Sequence, residues 1–405
     1  MELAPLTIRG LATDEVGEFI RLVQEAFLED PHHEEVEDFG DLIEPDRCHV
    51  LVDGDRLVGG GGVLTRDMTL PGVGPVPIAA VTAVGVAADQ RRRGGLRTLM
   101  LTQLHGLHDA GAEPVAALWA SEGAIYGRFG YAAAARRARL AVPRGTRYRE
   151  GVVTGRVRPL DADSALPVMQ DLHGRVRPHR VGWISRTAVT WREWFRDAEH
   201  HRRGASAFRY VAVDDGYAVF RVKPDGDDRG PRFEVRMHEL VAATPVAHAS
   251  LWRFLLDLDL GAEVVHRNVA VDDPLPLLLV DPRAAVTTVS DCLWVRLVDV
   301  DRGLATRRYS AACNLVLEVT DALCPWNAGR WRLDATADGE ARVERTDGEP
   351  DLRCDVADLA AAYLGDTRWT ALAAAGRVTE LRPGAVVCAT RAFAGDAAPH
   401  CPELF

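Results

Sequence analysis

The fold is decided by the stretch Ala80-Val81-Thr82-Ala83-Val84-Gly85-Val86-Ala87-Ala88-Asp89-Gln90-Arg91-Arg92-Arg93-Gly94-Gly95-Leu96-Arg97. Small and β-branched residues from Ala79 to Ala87 suit a buried strand. Three arginines and two glycines follow. Leu96 to His108 then places Leu96, Leu99, Met100, Leu104 and Leu107 on one helical face, with Gly111 as the stop. A strand that passes through a basic, glycine-bearing loop into a helix suits a diphosphate. Backbone N–H groups at the helix N-terminus point at the anion, and the helix dipole favours its charge. Glycine lets the backbone come close, and arginine adds charge and forked donors. The plainer alternative is a basic helix start that faces solvent.

The flanking sequence makes this stretch part of a layered domain. Glu15 to Leu28 carries Val16, Phe19, Ile20, Val23 and Phe27 at helical spacing. His49–Val52 and Leu57–Leu64 read as strands around the turn Asp53-Gly54-Asp55, and Val115–Trp119 as a further strand. Alternating strands and helices predict an α/β domain. Ala120-Ser121-Glu122-Gly123-Ala124-Ile125-Tyr126-Gly127-Arg128-Phe129-Gly130-Tyr131 comes next, a polar turn and then a short helix carrying Tyr126. A phenol with a pKa near ~10 can protonate a departing thiolate; a tyrosine that only packs is the alternative.

A loop-like stretch from Pro143 to Gly155 precedes a second unit. Val168–His173 and Trp191–Ala198 read as helices, and Tyr210–Val213, Ala218–Val222 and Phe233–Val241 as strands. His248–Leu258 is a strong amphipathic helix and Val264–Val271 a strand. The strand–helix–strand order repeats, but the arginine–glycine loop does not. Ala242-Ala243-Thr244-Pro245-Val246-Ala247 has no glycine, and Pro245 removes a backbone donor. From Asp299 the character changes again. Leu315–Val319, Arg330–Ala335 and Ala341–Thr346 read as a meander, and Val356–Leu364 and Thr370–Ala375 as helices, an α+β pattern. The expected division is residues 1–150, 151–298 and 299–405.

Arg91, Gly94 and Leu96 fall on the motif R/Q-x-x-G-x-G/A. It resembles the acetyl-CoA signature of the GCN5-related N-acetyltransferases (GNAT), although Leu96 departs from the small final residue. The resemblance implies acetyl-CoA as cosubstrate, held by Arg91, Arg92, Arg93, Gly94, Gly95, Leu96 and Ser121. It implies a strand that splays near Val84 and Val86, whose main chain holds the pantetheine arm, and it sets Tyr126 beside the coenzyme sulfur. Ala120-Ser121-Glu122-Gly123 and Ile125 to Tyr131 narrow the likeness to the enhanced intracellular survival (Eis) acetyltransferases. Asp272-Asp273-Pro274-Leu275-Pro276, Asp281-Pro282-Arg283, Leu293-Trp294-Val295-Arg296 and the terminal Phe405 extend it along the chain. This likeness implies tandem GNAT folds, the second degenerate and not binding coenzyme A, then an α+β domain like sterol carrier protein. It also implies a homohexamer that acetylates aminoglycoside amines at several positions, and an α-carboxylate of Phe405 that acts as general base. A terminal carboxylate has a reference pKa near ~3.5, too low for an efficient base, so burial or a relaying water has to help. A disordered tail is the alternative.

The acceptor side is read from Glu29 to Asp46, which holds nine acidic residues and no Lys or Arg. With Phe27 and Phe39 interleaved, this segment suits attraction of a cationic polyamine and stacking on its sugar faces; a solvated acidic face is the plainer reading. The resemblance favours Glu29 and Phe39 as substrate-facing. Ala83 stands where relatives carry a bulky aromatic, which widens the expected pocket. Leu404 stands where a relative carries an acid, and Glu403 is the candidate substitute.

Composition narrows the rest. The chain of 405 residues is 47% hydrophobic and 26% charged, ordinary for a globular protein. Its 48 basic and 59 acidic residues leave −11, which argues against non-specific nucleic-acid binding and suits a cationic partner. No apolar run reaches the ~18 residues of a membrane span. Glu2 and the lack of a basic-then-apolar block argue against a secretory signal, so the cytoplasm is expected. Seven scattered cysteines without C-x-x-C predict reduced, mostly buried thiols. His32-His33 and His200-His201 lack completing ligands, so no metal is expected. Two other function classes stay open: acetylation of protein lysines or N-termini, and a non-catalytic acyl-CoA or lipid sensor.

Overall fold

Adjacent alanines bury in opposite directions at the centre of the first sheet. Ala79 and Ala116 pack with Met100 and Leu104, whereas Ala80 and Ala117 join a cluster with Leu315, Leu333 and Leu359. Side chains alternate across a strand, so both faces of this sheet are covered, which explains a run of small residues without polar alternation. The computed structural model describes residues 6–30, 33–337 and 339–405.

The first unit comprises β1 (Thr7–Gly10), α1 (Val16–Ala26), α2 (His33–Leu42), β2 (Cys48–Asp53), β3 (Arg56–Leu70), β4 (Gly74–Val86), α3 (Gly95–Ala110), β5 (Val115–Trp119), α4 (Gly123–Tyr126) and β6 (Ala132–Ala133). The expected hairpin, buried strand and amphipathic helix are all present, and Gly111 closes α3 in the left-handed conformation (φ 64°). The second unit comprises β7 (Arg136–Pro143), β8 (Arg158–Leu160), α5 (Ala162–Val176), α6 (Ala188–Trp194), β9 (Arg209–Val213), β10 (Gly216–Lys223), the small pair β11 (Gly226–Asp227) and β12 (Gly230–Pro231), β13 (Phe233–Ala242), α7 (Pro245–Leu256), β14 (Gly261–Ala270), α8 (Leu275–Leu278) and β15 (Val286–Asp291).

The two large sheets exchange strands. β16 (Leu293–Leu297) leaves the second unit and lies between β5 and β6, giving the order β1-β2-β3-β4-β5-β16-β6. β7 crosses the other way, giving β15-β7-β14-β13-β10-β9-β8. Leu293 to Leu297, expected in the second unit, therefore belongs to the first sheet, and no cut at residue 150 or 298 separates the sheets. β7 begins before the expected loop from Pro143. Arg137, Arg139 and Ala141 alternate with Ala138, Leu140 and Val142, which are buried in the second core.

Beyond β16 lie α9 (Val300–Thr306), β17 (Cys313–Thr320), β18 (Gly329–Ala335), β19 (Ala341–Arg345), β20 (Leu352–Asp355), α10 (Val356–Ala362), α11 (Trp369–Ala374), β21 (Val378–Glu380) and α12 (Ala385–Phe393). Their sheet runs β19-β18-β17-β20-β21, the α+β pattern expected. This third unit covers the face of the first sheet that carries Leu64, Ala80 and Ala117, away from α3. None of the described helices is long and apolar enough to cross a membrane.

Candidate active site

β4 and β5 are parallel neighbours, yet only Ala79↔Ala116 and Ala80↔Ala117 are in register before the strands part. β4 continues to Val86 against β3 alone. There its register slips: Gly60 faces Gly85 and Gly62 faces Thr82, so Ala83 and Val84 together oppose Gly61. This is a β-bulge, with Ala83 in the left-handed region at φ 52°. The absence of bulk at Ala83 suits that conformation, which a β-branched or large residue resists. The bulge and the parting together leave Val84 with main-chain groups outside the β4–β5 ladder.

A cavity of about 850 Å³ opens at this gap. Val84, Val86, Arg91, Arg92, Gly94, Gly95, Leu96, Ser121, Tyr126 and Phe27 all line it. The fold therefore brings together the strand end, the loop, the helix start and the tyrosine. Gly94 is the N-cap of α3 at φ 84° and no side chain caps that helix. First-turn N–H groups have no partner within a helix, and here they face an arginine-rich cavity. Arg92 is also left-handed at φ 66°, so the loop winds into a concave run of backbone donors of the kind that holds anions. The chemistry of this donor set fits a diphosphate. Arg91 donates to the Ala26 carbonyl at 3.3 Å, tying the loop to the end of α1.

Arg93 departs from its expected role. It is absent from the cavity lining, and its guanidinium lies 2.9 Å from Asp53, with a side chain only 11% exposed. It braces the loop from behind. The cavity instead recruits Arg97 and Arg128, which sequence reasoning passed over. Arg97 sits one residue beyond the signature, on the exposed first turn of α3, and Arg128 lies inside the quoted tyrosine motif; cationic side chains at those two places were the available signal.

Tyr126 is 6% exposed at the end of α4. Burial, with a smaller contribution from Glu122, pushes its phenol up to about 12, so it is protonated at neutral pH. It packs with Phe129 and Tyr131 on the α3 face of the first sheet. The opposite face carries α1, which comes close because β3 has Gly59 to Gly62: a Cβ on Gly60 would lie 2.7 Å from the Phe19 ring. The cavity is lined from both faces, by the end of α1 and by the starts of α3 and α4.

The acceptor-side residues fare unevenly. Phe27 lines the cavity and is 44% exposed. Glu29 is exposed and outside the lining, and Phe39 packs partly buried against the core under α1 and α2. Three of the nine acids meet arginines. Asp41 pairs with Arg192 at 2.6 Å, Asp38 with Arg196, and Glu44 with Arg66 at 3.6 Å. The first two pairs dock α2 on the second unit, the third ties Glu44 to β3, and all three use charge that was assigned to a polyamine. His32 lies outside the described residues.

The C-terminal tail lies on the face opposite Tyr126. The Cys401 carbonyl accepts from Cys292 Sγ, just before β16, and Glu403 lies near Arg66 of β3. Phe405 is partly buried against the cluster under Ala80 and Ala117 and is not among the cavity-lining residues. Glu403 does not replace the acid missing at Leu404: it is 1% exposed and bound to Arg186, whereas Leu404 is 62% exposed. In the second unit Thr244 caps α7 by accepting from Ala247 N, and Pro245 occupies the first turn. A helix start already capped by its own side chain offers no comparable anion seat. All seven cysteines are free, and among the described residues no group of three or more His, Cys, Asp or Glu is placed to hold a metal.

Residues 7–134 match the family model of a GNAT acetyltransferase domain, 182–297 a second such model, and 300–402 a sterol carrier protein domain. The N-acetyltransferase Eis of Mycobacterium tuberculosis is 35% identical over 351 residues, covering 83% of this chain and 84% of its own. This chain belongs to the Eis-type GNAT acetyltransferases. An uncharacterised N-acetyltransferase of Streptomyces avermitilis is 43% identical over 390 residues, 92% of each chain. The crystal structure of Eis1 from Mycobacterium abscessus superposes with a TM-score of 0.86 at 32% identity, over 99% of this chain and 100% of that one. The Eis-type chain is thus an acetyltransferase built of tandem GNAT domains and a sterol-carrier-like domain, the architecture expected from its motifs.

Proposed function

We propose that this Eis-type enzyme transfers acetyl from acetyl-CoA to primary amines of cationic small molecules, aminoglycosides among them, at more than one position. The observation that carries the reading is the parted β4–β5 pair, which opens between a basic anion loop and a buried, protonated tyrosine.

The arginine loop and the α3 N-terminus would hold the coenzyme diphosphate. The Val84 N–H would polarise the thioester carbonyl, the oxyanion-hole role. The acceptor amine loses a proton, its nitrogen bonds the acyl carbon, and the C–S bond breaks with its electron pair on sulfur. The Phe405 carboxylate, implied as the base by the family resemblance, takes the amine proton through water. Tyr126 serves the sulfur. A phenol at about 12 is a weaker acid than a thiol of ~8.5, so its first contribution is a hydrogen bond to developing thiolate, and the proton follows. A cytoplasmic homohexamer, supported by the family resemblance, completes the reading.

The test is release of coenzyme thiol by purified protein with acetyl-CoA and a panel of polyamines, aminoglycosides included. Amine-dependent release that is lost in Tyr126→Phe and in a chain lacking Phe405 supports the reading. Silence across the panel, with acetyl-CoA still bound, moves the assignment to protein amines or sensing.

A further inference from the structure

The second unit has lost its anion loop but kept the parted strands. β13 and β14 run parallel and pair up to Met237↔His266, after which β13 continues to Ala242 and β14 to Ala270. This repeats the parting of β4 and β5 after Ala80↔Ala117. In the first unit that gap meets the cavity. In the second, the residues just past the last pair, Glu239 and Asn268, reach toward the chain's own C-terminus.

Asn268 Nδ2 donates to the carbonyls of Cys401 at 3.1 Å and Pro402 at 2.9 Å, while its Oδ1 pairs with His400 Nε2 at 3.0 Å. Glu239 accepts from Arg186 Nη1 at 3.1 Å and also from Nη2; Nε of the same guanidinium donates to Glu403. Trp194 Nε1, at 3.0 Å, and the Tyr217 hydroxyl donate to Glu239 as well. The Arg186 side chain is fully buried, with the rings of Trp191 and Trp194 at 4.6 and 5.6 Å. Burial works against charge on Glu239, yet Arg186 holds it down to about 2, while burial pushes Glu403 up. A charge so deeply buried is tolerated only when paired and hydrogen-bonded, and here one guanidinium, shared by Glu239 and Glu403, links the tail to the domain.

We propose that the second acetyltransferase-like domain is a receptor for the chain's own C-terminal tail, and that Arg186, through Glu403, is the positioning residue that fixes where the Phe405 carboxylate lies. Beyond Glu403, Leu404 is largely exposed and Phe405 packs half-buried against the core under Ala80 and Ala117. Two residues span at most about 7 Å, so the latch sets a short radius for the terminal carboxylate. The claim about catalysis rests on the terminal-base reading above; the claim about the receptor does not.

Glu403→Ala tests both. It removes the Glu403 side-chain carboxylate but leaves Arg186 paired with Glu239 and Arg66 paired with Glu44. Glu403→Gln is the conservative companion, because its amide oxygen still accepts from Nε. Release of Phe405 and Leu404 by carboxypeptidase A, followed by intact mass, reads the latch without any substrate. Release is expected about tenfold faster or more in Glu403→Ala, because cleavage tracks the population of the open tail, with Glu403→Gln near wild type. With the best acceptor amine of the panel, kcat is expected to fall about tenfold or more in Glu403→Ala, with acetyl-CoA affinity unchanged and activity rescued by Glu403→Gln. A tail still protected in Glu403→Ala overturns the receptor. A freed tail with unchanged kcat, while the chain lacking Phe405 is inactive, overturns the positioning role. Normal turnover without Phe405 is instead a failure of the terminal-base reading, and the release experiment still decides the receptor.

Discussion

Ala80 of β4 and Ala117 of β5 form the last registered pair between two parallel strands that continue apart to Val86 and Trp119. Their small side chains let the third unit cover one face, as those of Ala79 and Ala116 let helix α3 cover the other. Beyond it the ladder gives way to the cavity, and catalysis is expected to depend on groups around that opening.

Tyr126→Phe keeps the buried ring and removes only the hydroxyl. Turnover is expected to fall by about 10²–10⁴-fold, the usual worth of a positioned acid, with acetyl-CoA affinity nearly unchanged. Stopped-flow release of coenzyme thiol, beside equilibrium binding, checks this; full turnover in the variant contradicts the assignment.

Neighbouring arginines of the loop should separate by role. Arg92→Ala removes a cavity-lining cation and is expected to raise KM for acetyl-CoA, an effect that shrinks in high salt. Arg93→Ala removes the brace to Asp53 and is expected to cost about 1–2 kcal/mol of stability, read as a lower Tm with a smaller change in KM. Equal kinetic effects from the two would contradict the geometry.

Gly60→Val should show how closely α1 approaches the sheet. A Cβ there meets Phe19 at 2.7 Å and the His49 carbonyl at 2.8 Å. Overpacking of this kind costs about 1–3 kcal/mol, so chemical denaturation should give a lower midpoint. An unchanged midpoint would refute the packing.

Acid should weaken the fold through buried neutral histidines. Chiefly by burial, His173 and His400 are pushed down to about 3, and His238 and His266 to about 4. Unfolded histidine titrates near ~6.5, so below that pH the unfolded chain binds more protons than the folded one. Stability from these groups is full above pH ~6.5 and declines toward pH ~4, by about 1 kcal/mol per histidine one unit below 6.5. Calorimetry at pH 7.5 and at pH 5.5 should find a lower Tm at the acid value; an equal or higher Tm there contradicts the burial.

The strand, arginine loop and helix were legible because their chemistry is local: a run of small apolar residues, then glycine and charge, then a helical stripe. Tyr126 was legible through its motif. The exchange of β7 and β16 was not, because both candidate sheets accept an apolar strand and only tertiary pairing decides. The turn of Arg93 back toward Asp53 was not legible, because sequence cannot tell which of three adjacent arginines makes it. The acids at Asp38, Asp41 and Glu44 looked open because their arginine partners lie far away in the chain, apart from Arg66. The role of Gly59 to Gly62 was not read from the sequence, because it shows only with α1 in place above the strand.

The most direct measurement is a single-turnover reaction: one equivalent of acetyl-CoA per chain, excess amine, and free thiol and acetylated amine followed together. Equal amounts of thiol and acetylated amine, appearing at the same rate and slowed in Tyr126→Phe, are predicted. Thiol without acetylated amine, or no thiol from bound acetyl-CoA with any amine, would contradict direct transfer at the β4–β5 opening.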